Sequence, residues 1–149
     1  MTILRRCSMF LLAALALAAS GDPWKPGQAL PPTEFAKVVE TGNIPKILMV
    51  GPRLLYNGAH IKGAVFAGPT ETADGMALFE KQLTALPKSA EIVLYCGCCP
   101  MDQCPRIRPA FAKARELGYT NVKILDIPTN LHTDWVAKGH PIEKGGASR

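Results

Sequence analysis

From Ile92 to Tyr95 four apolar residues run without a break. A short continuous run of strand formers predicts a central parallel strand covered on both faces. From Arg106 the pattern changes period: Ile107, Ala110, Phe111, Ala114 and Leu117 fall on one face of a helix, and Gly118 is placed to end it. Elsewhere the same reading gives a short capped helix from Thr33 (Phe35, Val38, Val39, closed by Gly42) and a strand from Lys46 to Val50 stopped by Gly51-Pro52. A loop containing Tyr56-Asn57-Gly58 follows, then a strand from Ala64 to Phe66. The next helix starts with Asp74 as cap and carries Met76, Phe79, Leu83 and Leu86 before Pro87 breaks it, and Val122 to Leu125 is the last strand. Alternating strands and helices predict an open α/β sheet whose functional site lies outside the carboxyl ends of the strands.

The two ends read differently. Arg5 and Arg6 precede an apolar stretch from Met9 to Ala19 that is followed by small residues, the pattern of a signal peptide over residues 1–20. An uncleaved anchor needs a longer apolar core, so no stable membrane anchor is expected. Cys7 lies before the apolar stretch and is no lipid-bearing cysteine of a lipoprotein. The expected mature chain starts near Ala19 or Gly21 and is periplasmic or secreted. N-terminal sequencing of the exported fraction checks this, and Met1 retained on a membrane-bound form would contradict it. Residues 21–32 contain prolines at 23, 26, 31 and 32 and predict an extended arm, with Trp24 available to pin it to the domain. Residues 33–142 form the expected single domain, and a polar tail, 143–149, is expected to be disordered.

Charge changes this picture little. The formal net charge of +5 falls to +3 once Arg5 and Arg6 are removed, because residues 1–20 contain no acid. No basic run interleaved with aromatics is present, so nucleic acid is not an expected partner, while small anions are.

The candidate chemistry sits in the loop between the central strand and its helix, where Cys96, Cys98, Cys99 and Cys104 make up four of the five cysteines. A loop that enters a helix N-terminus presents free backbone N–H groups and the positive end of the helix dipole. A cysteine held there has a lowered pKa and is a candidate nucleophile. Arg106 and Arg108 add positive charge, and Asp102 is a candidate turn-former. Of the histidines, His60 reads as a structural residue, and His132 and His140 as exposed ones. Trp135 and Phe111 read as core.

These residues resemble the single-domain rhodanese-like family, from about the Thr33 helix to Pro141. The likeness rests on His60-Ile61-Lys62-Gly63-Ala64, similar to the family's His-Ile-x-Gly-Ala stretch, on the apolar strand ending in Cys96 with a helix after the loop, and on the stretch from Trp135 to Pro141. The resemblance implies a three-layer α/β fold with a parallel central sheet flanked by helices. It implies a sulfurtransferase in which Cys96 takes a sulfane sulfur as a persulfide from a small anionic donor such as thiosulfate and passes it to a thiol or protein acceptor. Gly97, Cys98, Cys99, Arg106 and Arg108 would then bind the anion, and no cofactor or metal is called for. Two departures stand out: Gly51-Pro52-Arg53 keeps the arginine but not the acid that the family usually carries there, and the active loop is longer, with three added cysteines. No cysteine has an arginine at the Cys-x5-Arg spacing of the fold's phosphatase relatives.

The added thiols leave two other readings open. Cys98, Cys99 and Cys104 can resolve a persulfide as a disulfide or act as a thiol-disulfide redox set, with Cys104 the expected disulfide partner. Soft thiolates also suit copper(I), zinc or an iron-sulfur cluster, although the spacing is not that of two separated zinc-binding pairs.

Overall fold

The computed structural model describes residues 21–146. The expected signal peptide, and residues 147–149 of the expected tail, lie outside the described residues. Among the described residues no helix is long and apolar enough to cross a membrane.

Strands β1 (Ala29–Leu30), β2 (Lys46–Met49), β4 (Ala64–Phe66), β5 (Ile92–Tyr95) and β6 (Val122–Leu125) form one sheet in the order β1-β6-β5-β2-β4, with every pairing parallel. The uninterrupted apolar run therefore lies in the middle of the sheet, and all four of its residues are buried. Side chains alternate across a strand. Ile92 and Leu94 join a core with helices α3 (Ala73–Thr84) and α4 (Ile107–Glu116), whereas Val93 and Tyr95 join the opposite core with α1 (Pro32–Thr41) and the helical turn His132–Val136. Helices on both faces of a parallel sheet make the three layers expected. A small antiparallel pair, β3 (His60–Ile61) with β7 (Ile142–Glu143), lies beside the main sheet.

The structure departs from the sequence reading mainly where elements are short. The arm ends in a turn at Pro26–Gln28 and then supplies β1, which pairs with β6 through Ala29 and Leu30. A two-residue strand is too short for an alternating pattern to be seen. The stretch around Tyr56 is not a loop but α2 (Arg53–Gly58), opened by Pro52, whose carbonyl accepts from the N–H groups of Leu55 and Tyr56. The expected disorder from Glu143 does not hold at its start: Glu143 pairs with His60 in the small sheet, and the Gly145 N–H donates to the Asn57 carbonyl at 2.8 Å. Two caps also differ. Pro31 precedes α1 in the cap position, and Thr72 rather than Asp74 caps α3, its hydroxyl accepting from the Gly75 N–H at 3.0 Å.

Candidate active site

Cys96 continues the parity of Ile92 and Leu94, so its side chain falls on the α3/α4 side of the sheet, in the core with Cys104 and Ile107. It is 5% exposed. The neighbouring β2 ends at the same level, and a Cβ on Gly51 would stand 2.4 Å from the Cys96 carbonyl oxygen and 3.2 Å from its sulfur. Glycine is therefore what allows the chain after β2 to lie against the cysteine.

Gly97 turns the loop with φ +83°, a region that other L-residues rarely adopt, and its carbonyl accepts from the Leu131 N–H at 2.9 Å. After that turn the chain folds back on itself. The Cys98 sulfur lies 3.2 Å from that of Cys96 and 3.0 Å from that of Cys99. A helical turn at Met101–Gln103, tied by the Met101 N–H to the Ile127 carbonyl at 3.1 Å, then brings Cys104 back into the core. The sulfurs of Cys96, Cys98 and Cys104 all lie within 4.8 Å of one another. Cys96, Cys99, Cys104 and Met101 border a cavity of about 10 Å³, closed by Ile107 and Leu125. That is room for a single atom or water. All four thiols are free in this structure.

Arg106 stands at the helix entrance, one residue before α4. Its Nη1 donates to the Cys98 sulfur at 2.9 Å and reaches that of Cys96 at 3.9 Å. The other edge of the guanidinium is held by Glu71, with Nε donating to Oε1 at 2.6 Å and Nη2 paired to the same oxygen. The Thr70 hydroxyl donates to the Arg106 carbonyl at 2.7 Å. Thr70 and Glu71 went unseen in the sequence because they lie on the approach to α3, and only the tertiary fold sets them beside the cysteine loop. Arg108 is not brought to the thiols. Its hydrogen bonds go to the carbonyls of Met101 and Asp102 and to the Asp22 carboxylate, so it ties the loop to the arm.

The ionisation pattern differs from the one expected of Cys96. Cys104 is the thiol over the helix entrance. A hydrogen bond from the Cys96 thiol, then the backbone N–H groups of Arg106 and Ile107, hold its pKa down at about 5 against the desolvation that burial imposes. Cys96 shifts upward, first because its proton is shared toward the Cys104 sulfur and second because it is buried. The two thiols titrate as a pair, with Cys104 shifted down and Cys96 shifted up by the bond between them. The physical reason is loop length: Cys96 ends the strand, and the long loop brings a later cysteine to the helix start. Burial pushes Cys99 up to about 12, with the hydrogen bond to Cys98 adding to it. The Arg106 pKa is raised, first by the hydrogen bond to Glu71, so the guanidinium stays charged. Burial works against ionisation of Glu71, but the Arg106 hydrogen bond and its own backbone N–H outweigh it and leave its pKa lowered.

The remaining candidates serve the scaffold. His60 is buried, stacks on Tyr56 at 3.8 Å, and has its Nδ1 2.7 Å from the Tyr56 carbonyl oxygen. His132 is exposed as expected, whereas His140 is half-buried, edge-on to Trp135 at 5.0 Å. Asp102 sits in the Met101–Gln103 turn with its side chain exposed. Arg53, the arginine retained after β2, lies over the Phe66 ring at 3.9 Å. Trp135 and Phe111 are core.

A parallel sheet covered by helices on both faces, with a cysteine loop at the carboxyl end of its central strand, defines a three-layer α/β protein. Residues 31–127 match the rhodanese-like domain, and the chain belongs to that family. Among solved structures it is similar to a crystal structure of the Alr3790 protein from Anabaena sp., at 25% identity and a TM-score of 0.61 over 80% of this chain and 96% of that one. It is also similar to the BH2092 protein from Bacillus halodurans, at 20% identity and a TM-score of 0.60 over 78% of this chain and 76% of that one. A third likeness is to EanB in complex with hercynine, at 21% identity and a TM-score of 0.61 over 78% of this chain and 27% of that one. The last two speak to the fold alone. No curated protein matches the chain. Family membership gives a sulfurtransferase-type or related function, in a family that also has non-catalytic members.

Proposed function

We propose that the protein is a sulfurtransferase that carries a sulfane sulfur as a persulfide on Cys96. The observation that carries the reading is the placing of this cysteine at the end of the central strand, under the Arg106 guanidinium and beside a cavity with room for one further atom. Cys96 and Cys104 share one proton and one negative charge. With the shared proton on Cys104, the Cys96 thiolate attacks the outer sulfur of a thiosulfate-type donor. The donor's S–S bond breaks, and sulfite leaves with the electron pair. The charge on the Cys96 persulfide faces Arg106, which Glu71 holds in place. An acceptor thiolate then attacks the outer sulfur, forms its own persulfide and returns Cys96 as the thiolate. Acceptors reach the loop from a cleft of about 490 Å³ bordered by Leu54, Leu55, Gly97, Cys98 and Leu131.

Sulfur transfer from thiosulfate to a thiol acceptor tests this. Cys96→Ser should abolish it. Arg106→Ala should raise KM for the donor by about tenfold or more, since a hydrogen bond to a charged group contributes about 1.5–3 kcal/mol. Transfer retained in Cys96→Ser but lost in Cys104→Ser would move the nucleophile to Cys104. Thiol-disulfide exchange is favoured as a second reading by the contacts of 3.2 and 3.0 Å among the thiols. It takes over if no sulfane donor loads the protein and thiol counting finds a reversible disulfide.

A further inference from the structure

We propose that the sulfurs of Cys96, Cys98 and Cys104 form a three-coordinate site for one soft monovalent cation of the copper(I) class. The inference stands apart from sulfur transfer, because it needs only the three sulfurs and their surroundings. They lie within 4.8 Å of one another. At a metal–sulfur bond of about 2.3 Å, three thiolates around an ion in their plane stand about 4 Å apart. Seating the ion thus requires the Cys96–Cys98 separation of 3.2 Å to open by less than about 1 Å, within reach of side-chain rotation.

The donor set selects the ion. It contains sulfur only, which disfavours magnesium and calcium and favours copper(I), zinc or an iron-sulfur cluster. Structural zinc and iron-sulfur sites take four protein ligands. Among the described residues the group that meets within 4.8 Å has three. Cys99, although its sulfur lies 3.0 Å from that of Cys98, is not in that group. A filled-shell monovalent ion accepts three sulfurs in a plane and leaves no vacant position to fill.

The surroundings suit the charge and the softness. Three thiolates and one monovalent ion carry two net negative charges, and the Arg106 guanidinium, 2.9 Å from the Cys98 sulfur, offsets part of them. Cys96 and Cys104 are 5% and 2% exposed, which keeps water and oxidants from the ion. The Met101 side chain lines the adjacent cavity, while half-buried Cys98 opens on the cleft and gives a route in. Binding replaces thiol protons with the ion and involves no electron transfer. Because the same sulfurs are used, ion and persulfide exclude each other.

The test is anaerobic titration of the reduced full-length chain with copper(I) held by bicinchoninate. Withdrawal of one equivalent is expected, with a copper-edge X-ray absorption spectrum showing sulfur neighbours only, three in number. Cys98→Ser and Cys104→Ser should each lower copper(I) affinity by at least tenfold, and Cys99→Ser should leave it within twofold. Far-UV circular dichroism checks folding. If Cys104→Ser unfolds, Cys98→Ser, at a half-buried position, still decides the matter. No copper withdrawn, affinity unchanged in Cys98→Ser, or zinc bound in preference with four sulfurs would each overturn the proposal. Persulfide loading is read separately on metal-free protein, so either result can fail without the other.

Discussion

Cys96 and Cys104 divide two properties that a single nucleophile usually combines. Cys96 has the position, at the strand end under Arg106, while the Cys104 pKa is held down, first by the hydrogen bond from the Cys96 thiol and then by the N–H groups of Arg106 and Ile107. A thiol whose pKa is depressed is ionised above that value, so the Cys104 thiolate is present at neutral pH and is lost as pH falls through about 5. Thiolate absorbance in the far ultraviolet should therefore rise through a midpoint near that pH in the reduced protein, and the step should vanish in Cys104→Ser. A midpoint near the ordinary cysteine value of about 8.5 would contradict the assignment. Under the proposed transfer, donor loading should weaken over the same acid range, since both thiols of the pair are then protonated. At this scale the sequence was legible as to which thiols meet, while the lowered pKa it led one to expect at Cys96 falls on Cys104. Spacing placed four cysteines in one loop, but the hydrogen bond between Cys96 and Cys104, with the N–H groups of Arg106 and Ile107, distinguishes them only after the loop folds back. Arg106 and Arg108 likewise look equivalent in the chain, yet one faces sulfur and the other Asp22.

Among the elements, the long periodic ones were readable and the short ones were not. The helices carrying Phe79 and Leu83, or Ala110 and Phe111, bury those residues as their spacing requires. By contrast, β1, β3 and β7 have two residues each, and neither period can be expressed in so short a span. The arm is the instructive case. Its prolines exclude a regular helix, but its attachment depends on Trp24, which packs edge-on against Phe111 of α4 at 5.7 Å, and on Asp22, which pairs with Arg108 at 2.6 Å. The arm thereby buttresses the helix whose entrance holds Arg106. Trp24→Ala should lower stability by about 3 kcal/mol, at the low end for loss of a large buried aromatic, because the site borders solvent. Chemical denaturation measures this. A change below about 0.5 kcal/mol, the range of an ordinary surface substitution, would show that the arm is not part of the core.

Taken whole, the molecule is a parallel sheet that delivers one loop to the carboxyl end of its central strand. The fold class was legible because the apolar run of β5 has the character of a strand covered on both faces, and the order β1-β6-β5-β2-β4 puts it there. The site was legible only in part. Glu71 and Thr70 reach it from another connection and no local pattern marks them, while Gly51 was legible as the stop after β2 but not as the residue that lies against Cys96. Under the proposed function, this architecture holds a sulfane sulfur on Cys96. The most direct measurement is the intact mass of the reduced protein after incubation with thiosulfate, followed by peptide mapping. A gain of one sulfur atom is expected, located on Cys96, removed by mild reductant and absent from Cys96→Ser. A chain that gains no sulfur, or gains it on another cysteine, would contradict persulfide formation on Cys96.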